Sequence, residues 1–284
     1  MPEQLIALAR RAAGPITMVI DRSWPRDSSA VWEVTGAGNR RWFVKQHSSL
    51  RFHDREVAAL RHWAPALGPG RAPVLAGADR ALRAMVVTAL PGQVVAGMQL
   101  TGAEEQEVHR QAGVLLRHLH EATRPKTRDN GVDGVTARAE EHLRQAAGLL
   151  TAREIALVRS AAAELTDLPP LPVVPAHGDV QPRNFLWDRS ARQLALIDFE
   201  RAGPAPAIRD LVRLEFGPWD RRPGLRNAFI GGYGRELSKT EQQALRCLAA
   251  LDALRGLLWS AANNDGDVTG RARRTLDRLS STLR

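Results

Sequence analysis

The sequence predicts an α+β protein in two parts, a small strand-rich lobe followed by a larger, mainly helical one. Three observations carry that expectation. Short β-type runs dominate the chain before about residue 90. A Pro-Gly pair, Pro91-Gly92, then punctuates it. Beyond that point apolar residues recur with helical spacing.

In the first part, "SAVWEVTG" and "RRWFVKQH" read as two strands joined by the turn-rich "TGAGN", a hairpin pattern. "RFHDREVAALRHW" places Val57, Leu60 and Trp63 at helical spacing. "PGRAPVLAGA" and "LRAMVVTAL" read as two further strands. After the Pro-Gly break, Thr101 stands as a candidate N-cap before first-turn acids, and Leu115, Leu116 and Leu119 supply an apolar helix face. Helices are expected over about 136–150 and 152–166, and the segment from Ala207 onward reads as mostly helical. The expected division is a lobe over 1–89 and a lobe over 90–284, with a hinge near 88–92.

The composition of the 284 residues, 44% hydrophobic and 25% charged, is that of an ordinary globular protein. No run is long enough to cross a bilayer, and "MPEQLIALARRAAG" is amphipathic, without the apolar core of a signal peptide. The single cysteine, Cys247, excludes an intrachain disulfide, reads as a small core residue and suits a reducing cytoplasm. The formal charge of +9 comes from arginine, since only Lys45, Lys126 and Lys239 are lysines. Those arginines are scattered along the chain with no aromatic interleaving and no nucleic-acid-binding motif, so nucleic acid is not an expected partner. The charge also makes a strongly polycationic substrate less comfortable.

The chemistry concentrates in "AHGDVQPRNFLWDRSARQLALIDFE", residues 176–200. Asp179 lies in a loop bounded by Pro175 and Pro182, so no helix face absorbs its carboxylate. Asn184 offers an amide oxygen, and Asp198 follows the apolar run "LALI", which would present it at a strand end. An amide oxygen and a carboxylate are hard ligands suited to Mg²⁺. Asp179 is then left to orient or deprotonate a hydroxyl, and positioning with charge neutralisation is most of what phosphoryl transfer requires.

The spacing is that of a kinase catalytic loop, an Asp five residues before a metal-binding Asn and a second metal Asp on the next strand. "HGDxxxxN", then "IDxE" and "DLVRL", resembles the aminoglycoside phosphotransferase and choline kinase superfamily, small-molecule kinases with a protein-kinase-like bilobal fold. The resemblance implies Asp179 as catalytic residue and Asn184 and Asp198 as Mg²⁺ ligands. It implies Lys45 on the phosphates of ATP or GTP, held by Glu56 of the following helix. Ser28 and Ser29 match the phosphate-covering loop, and Thr88, Ala89 and Leu90 the adenine-binding hinge. His177 and Asp210 match the residues that brace the catalytic loop.

Departures from the protein-kinase pattern narrow the substrate. No GxGxxG loop precedes "VWEV", and Gly36 and Gly38 read as hairpin chemistry. Glu200 replaces the Gly of Asp-Phe-Gly, and no Ala-Pro-Glu segment follows, which points away from protein substrates. The expected function is O-phosphorylation of a small hydroxylated molecule. An antibiotic is the first expectation, an aminoglycoside or another sugar- or nucleoside-containing compound, with a leaning toward a neutral or weakly charged one. Glu215, Asp220, Asp265 and Asp267 are the acids available for a cationic rim, and each reads more simply as a solvated surface charge. The alternatives are a metabolic kinase of the choline, homoserine, thio-sugar or fructosamine type and a non-catalytic nucleotide-binding pseudokinase.

Overall fold

The computed structural model describes residues 1–23, 29–124 and 134–282. The first part comprises α1 (Glu3–Ala13), β1 (Met18–Asp21), β2 (Ser29–Thr35), β3 (Arg41–His47), α2 (Leu50–His62), β4 (Leu75–Asp79) and β5 (Ala84–Thr88). The strands form one antiparallel sheet in the order β1-β2-β3-β5-β4. The opening amphipathic segment is therefore a second helix of this lobe, where the sequence pattern had indicated one. Its Leu5, Leu8 and Ala9 pack on Trp32, Val34, Val44 and Val86.

Alternation along β3 decides what the sheet presents to the rest of the molecule. Val44 faces the α1 side, so Phe43, Lys45 and His47 point the other way, toward α2. Lys45 is registered between Val31 and Met85 in the central strand, which shields it from the solvent an edge position would give. Ser49 caps α2, its side chain accepting from the Phe52 N–H.

The second part runs through β6 (Gln93–Val94), α3 (Gly102–His120), α4 (Val135–Gln145), α5 (Ala152–Asp167), β7 (Val173–Ala176), β8 (Phe185–Asp188), β9 (Gln193–Leu196) and β10 (Gly203–Pro206). It closes with α6 (Val212–Glu215), α7 (Pro223–Tyr233), α8 (Lys239–Asn263) and α9 (Gly266–Thr282). Thr101 caps α3 as expected, in a reciprocal capping box with Glu104, and Thr151–Glu154 and Ser238–Glu241 do the same for α5 and α8. Two short antiparallel sheets, β6-β8-β9 and β7-β10, lie among the helices. A Cβ at Gly113 of α3 would collide with the Phe229 carbonyl of α7, so glycine is what lets these helices approach.

Phe185, Trp187, Phe199 and Phe229 are fully buried in the main core, directly behind the segment that carries Asp179 and Asp198. Cys247 joins that core, and burial pushes its thiol up to about 12, which leaves it unreactive near neutral pH. Among the described residues no helix is long and apolar enough to cross a membrane.

Candidate active site

Lys45 is the hub of a buried ion cluster. Its ammonium lies 2.8 Å from Glu56 Oε2, 2.6 Å from Asp198 Oδ1 and 3.0 Å from Glu200 Oε2. Burial works against the charge on Lys45, but the three carboxylates outweigh it and raise its pKa well above the ordinary value. Burial likewise pushes Glu56 and Asp198 up, and the nearby ammonium, joined on Glu56 by the hydrogen bond from His47, more than reverses this, so both end below the usual carboxylate range. Glu56 does more than hold the lysine: its Oε2 lies 2.7 Å from His47 Nε2, and its Oε1 accepts from the Phe199 N–H at 3.1 Å. One carboxylate thus ties β3 and α2 to the residue after Asp198. Its near neighbour Asp54 is exposed and paired with Arg80.

His47, Glu56 and Glu200 have ligand atoms within 4.8 Å of one another, a spacing a metal ion could bridge. The Lys45 ammonium already bonds both carboxylates, and a second cation beside it would be repelled. This triplet is an ion-pair network for lysine.

The Asp179 loop is held from below by Asp210. The Asp210 carboxylate accepts from the N–H groups of His177 at 2.8 Å and Gly178 at 2.6 Å, and lies 3.1 Å from His120 Nε2. His120 Nδ1 in turn meets the Tyr233 hydroxyl at 2.9 Å. Burial raises the Asp210 pKa, but the hydrogen bond and charge of His120 pull it further down. His177 Nε2 reaches the Ile197 carbonyl at 3.0 Å, and its ring packs on Phe199. Burial lowers the His177 pKa, so the ring serves as a neutral bridge between the loop and the Asp198 strand.

Gly178 has φ of +79°, and a Cβ there would strike the Arg201 carbonyl. Gly178→Ala is expected to displace the loop and lower the melting temperature by several degrees, the shift of about 1–3 kcal/mol typical of backbone strain. Calorimetry checks this, and an unchanged melting temperature with full turnover would show that the loop tolerates the methyl group.

Asp179 is almost fully buried and richly partnered. It accepts from Gln181 Nε2 at 2.5 Å, Arg183 Nη2 at 3.0 Å, Asn184 Nδ2 at 3.2 Å and Arg213 Nη1. Asn184 also donates to the Asp179 carbonyl at 2.8 Å. With its N–H groups directed there, the Asn184 amide oxygen accepts no hydrogen bond among the described residues. Asn184 and the Asp198 strand are joined by the Ile197 N–H, which donates to the Asn184 carbonyl at 3.0 Å. Asp198 itself adopts the left-handed conformation, φ +67°, at the end of β9. A free amide oxygen and a carboxylate with its second oxygen unengaged are hard donors that fit Mg²⁺.

At the end of β5, Thr88 and Ala89 give their N–H groups to the Val74 and Arg41 carbonyls. Among the described residues of this segment the Leu90 N–H remains without a partner. Ser29 donates to Glu200 at 3.3 Å, whereas Ser28 lies outside the described residues. The four acids considered for a cationic rim are engaged differently. Glu215 pairs with Arg226 and Arg278, Asp220 pairs with Arg278, and Asp265 is buried at the start of α9. Asp267 is exposed.

Sequence reasoning missed His47, Glu200, Arg183 and Arg213 as members of the site. The signal for Glu200 was its place two residues after Asp198, and for Arg183 its place next to Asn184. Arg213 lies in the quoted "DLVRL", three residues after Asp210, but only the tertiary fold brings α6 against the loop.

Residues 25–257 match the family described as APH, Phosphotransferase enzyme family. The chain belongs to this family. It is accordingly a small-molecule kinase, a phosphotransferase with an alcohol group as acceptor. Its fold is that of solved members. The structure of the GDP and kanamycin complex of APH(2")-IIia has a TM-score of 0.74 at 16% identity, covering 99% of both chains. The spectinomycin phosphotransferase APH(9)-Ia, solved with ADP and spectinomycin, has a TM-score of 0.66 at 15% identity, covering 99% of this chain and 93% of its own. The macrolide 2'-phosphotransferase MphH from Brachybacterium faecium has a TM-score of 0.63 at 16% identity, covering 97% and 98%. No curated protein gives a significant sequence match. The phosphotransferase family thus accounts for the bilobal arrangement of a five-stranded antiparallel sheet and a mainly helical second lobe.

Proposed function

We propose that this phosphotransferase moves the γ-phosphate of ATP or GTP to a hydroxyl of a small molecule, using Asp179, Lys45, Asn184 and Asp198. The observation that carries the reading is the joint placement of these groups. Lys45 bonds Asp198, and the Asp198 strand is hydrogen-bonded to Asn184, which donates to Asp179. The acceptor oxygen bonds to the γ-phosphorus as the bond from that phosphorus to the β–γ bridging oxygen breaks. Nucleoside diphosphate leaves, and the hydroxyl proton passes by way of Asp179 to solvent.

Lys45 anchors the nucleotide phosphates, with Glu56 fixing its direction. Asn184 and Asp198 would hold Mg²⁺, which supplies charge neutralisation on the phosphate oxygens. The 88–92 segment is the hinge between the lobes and carries the adenine or guanine contact, with the Leu90 N–H available for it. Ser29 belongs to the loop over the phosphates, and His177 and Asp210 keep the catalytic loop in register. The retention of all four reactive positions speaks against a non-catalytic nucleotide-binding role. A cytoplasmic location, where nucleoside triphosphates are plentiful, belongs to the same reading.

The solved relatives act on or bind antibiotics, which supports an antibiotic acceptor and a resistance role. A metabolic acceptor is the second reading, favoured by the arginine-rich surface beside Asp179. The test is incubation of the whole chain with ATP or GTP, Mg²⁺ and a panel of hydroxylated compounds, with transfer read by mass. Asp198→Ala is expected to remove the Mg²⁺ dependence of nucleotide binding. Metal dependence that survives unchanged in that variant would refute the ligand assignment, and failure to bind either nucleotide would refute the kinase assignment.

A further inference from the structure

A cavity of ≈ 280 Å³ opens beside the Asp179 loop, between it and helices α8 and α9. Its wall carries six arginines: Arg183, Arg201, Arg209, Arg213, Arg255 and Arg271. Residues scattered over ninety positions of sequence therefore converge, and the even spread of arginine along the chain is not an even spread in space. Among the described residues two carboxylates line the cavity, Asp210 and Asp252. Asp210 is committed to His120 and to the loop N–H groups. Asp252 lies 3.6 Å from Arg213 and 3.4 Å from Arg255, so one carboxylate is shared between two guanidiniums. Among the described residues Arg209 and Arg271 have no carboxylate within 4 Å and no side-chain hydrogen bond.

Arginine cannot shed its proton to relieve such crowding, so the positive charge that Asp179 and Asp252 leave unpaired favours an anion in the cavity. Burial lowers the pKa of Arg255, whose side chain is still 47% exposed, against the pull of Asp252, with Arg209, Arg213 and Arg201 adding to the fall. At Arg271 burial and Arg213 act the same way against Asp252 and Asp265. The cavity has an apolar side as well, with Phe216, Leu248 and the partly exposed Trp259. Lys45, Glu56 and Asp198 do not line it, which separates it from the place where the nucleotide phosphates are anchored. Arg183 and Arg213 line it and also bond Asp179, which puts the cavity one guanidinium away from that carboxylate.

We infer that this cavity is the acceptor site and that the acceptor is an anionic hydroxylated small molecule, bearing a carboxylate, sulfate or phosphate group. The inference rests on the kinase reading and specifies its substrate class. Guanidinium forks match these anions in shape and charge, and the same wall repels a polycation. The hydroxyl of that molecule becomes the phosphate ester and nucleoside diphosphate leaves, as balanced above.

The test uses the whole chain with ATP and Mg²⁺. Sugar phosphates (glucose 6-phosphate, glycerol 3-phosphate), sugar acids (gluconate, glucuronate) and sulfated sugars form the anionic arms, and kanamycin and unmodified sugars the cationic and neutral arms. The arms separate the three anions as sources of the same charge. Transfer is expected in at least one anionic arm. There, Arg271→Glu should raise the acceptor KM by about 10–100-fold, the loss of one charge-assisted contact, while the KM for ATP stays unchanged. Arg10→Glu, on the exposed face of α1, controls for bulk charge and should leave both constants unchanged. Transfer to kanamycin or neutral sugars alone, or an Arg271→Glu enzyme with undiminished use of anions, overturns the inference and leaves the kinase reading standing. If no compound accepts phosphate, calorimetry with the same anions decides. Binding that weakens in Arg271→Glu supports the site, and no anion binding overturns it. Loss of ATP binding altogether is the separate failure that would strike the kinase reading.

Discussion

Asp179→Asn is expected to lower kcat about 10²–10⁴-fold, the range contributed by a positioned proton acceptor, with nucleotide affinity unchanged. The substitution keeps the size of the side chain but leaves one acceptor oxygen for Gln181 and Asn184, which donate to different oxygens of Asp179, and it removes the charge proposed to face the acceptor hydroxyl. Nucleotide affinity is the proper control because Lys45, Glu56 and Asp198 form a separate cluster. Arg183 loses its carboxylate partner in this variant and Arg213 keeps Asp252 alone, so the melting temperature should be measured alongside turnover. Turnover within tenfold of the parent would show that another group accepts the proton, and the role given to Asp179 would fall.

Lys45→Met is expected to lose both nucleotide binding and stability, and the two losses respond differently to pH. Removing the ammonium leaves Glu56, Asp198 and Glu200 facing one another without their cation. Breaking a buried ion pair from one side costs about 3–5 kcal/mol, which calorimetry reads as a lowered melting temperature at neutral pH. The direction with pH follows from the shifts. Glu56 and Asp198 are held below their ordinary values, so their contribution is complete above the usual carboxylate range and is lost as pH falls through the depressed values. Lys45 is held above its ordinary value, so its contribution is complete below 10.5 and is lost as pH rises through the raised value. The parent therefore keeps the full contribution between the carboxylate and lysine ranges. In the variant the carboxylates protonate readily, and the deficit should shrink between pH 7 and pH 5. A deficit of equal size at both values would mean that packing of the lysine stem, and not charge, is what the substitution removes.

Much of the catalytic set is legible in the chain because it is local. Asp179 and Asn184 sit five residues apart on one loop, and Asp198 ends the next strand, so spacing alone groups them. Lys45 and Glu56 are also close in sequence, and strand alternation with one helix turn is enough to face them toward each other. The strands of the first lobe announce themselves through β-branched and aromatic runs, and the long helices through capping residues such as Thr101. The helix of residues 3–13 was less legible, because an amphipathic segment broken by arginines becomes a lobe helix only when a sheet covers its apolar side.

The sequence by itself determined the two-part α+β architecture, the family and the candidate groups for handling phosphate. Those conclusions depend on residues near one another along the chain, where geometry follows from backbone periodicity. The tertiary structure alone decided the surroundings of Asp179. Arg213 reaches it from α6, and Arg255 and Arg271 come from α8 and α9 to face the same cavity. No spacing rule links positions 183, 213, 255 and 271, because their proximity arises from helices packing across the core. Charge summed over the sequence is blind to this. Only the fold turns dispersed arginines into one concentrated field beside the Asp179 loop.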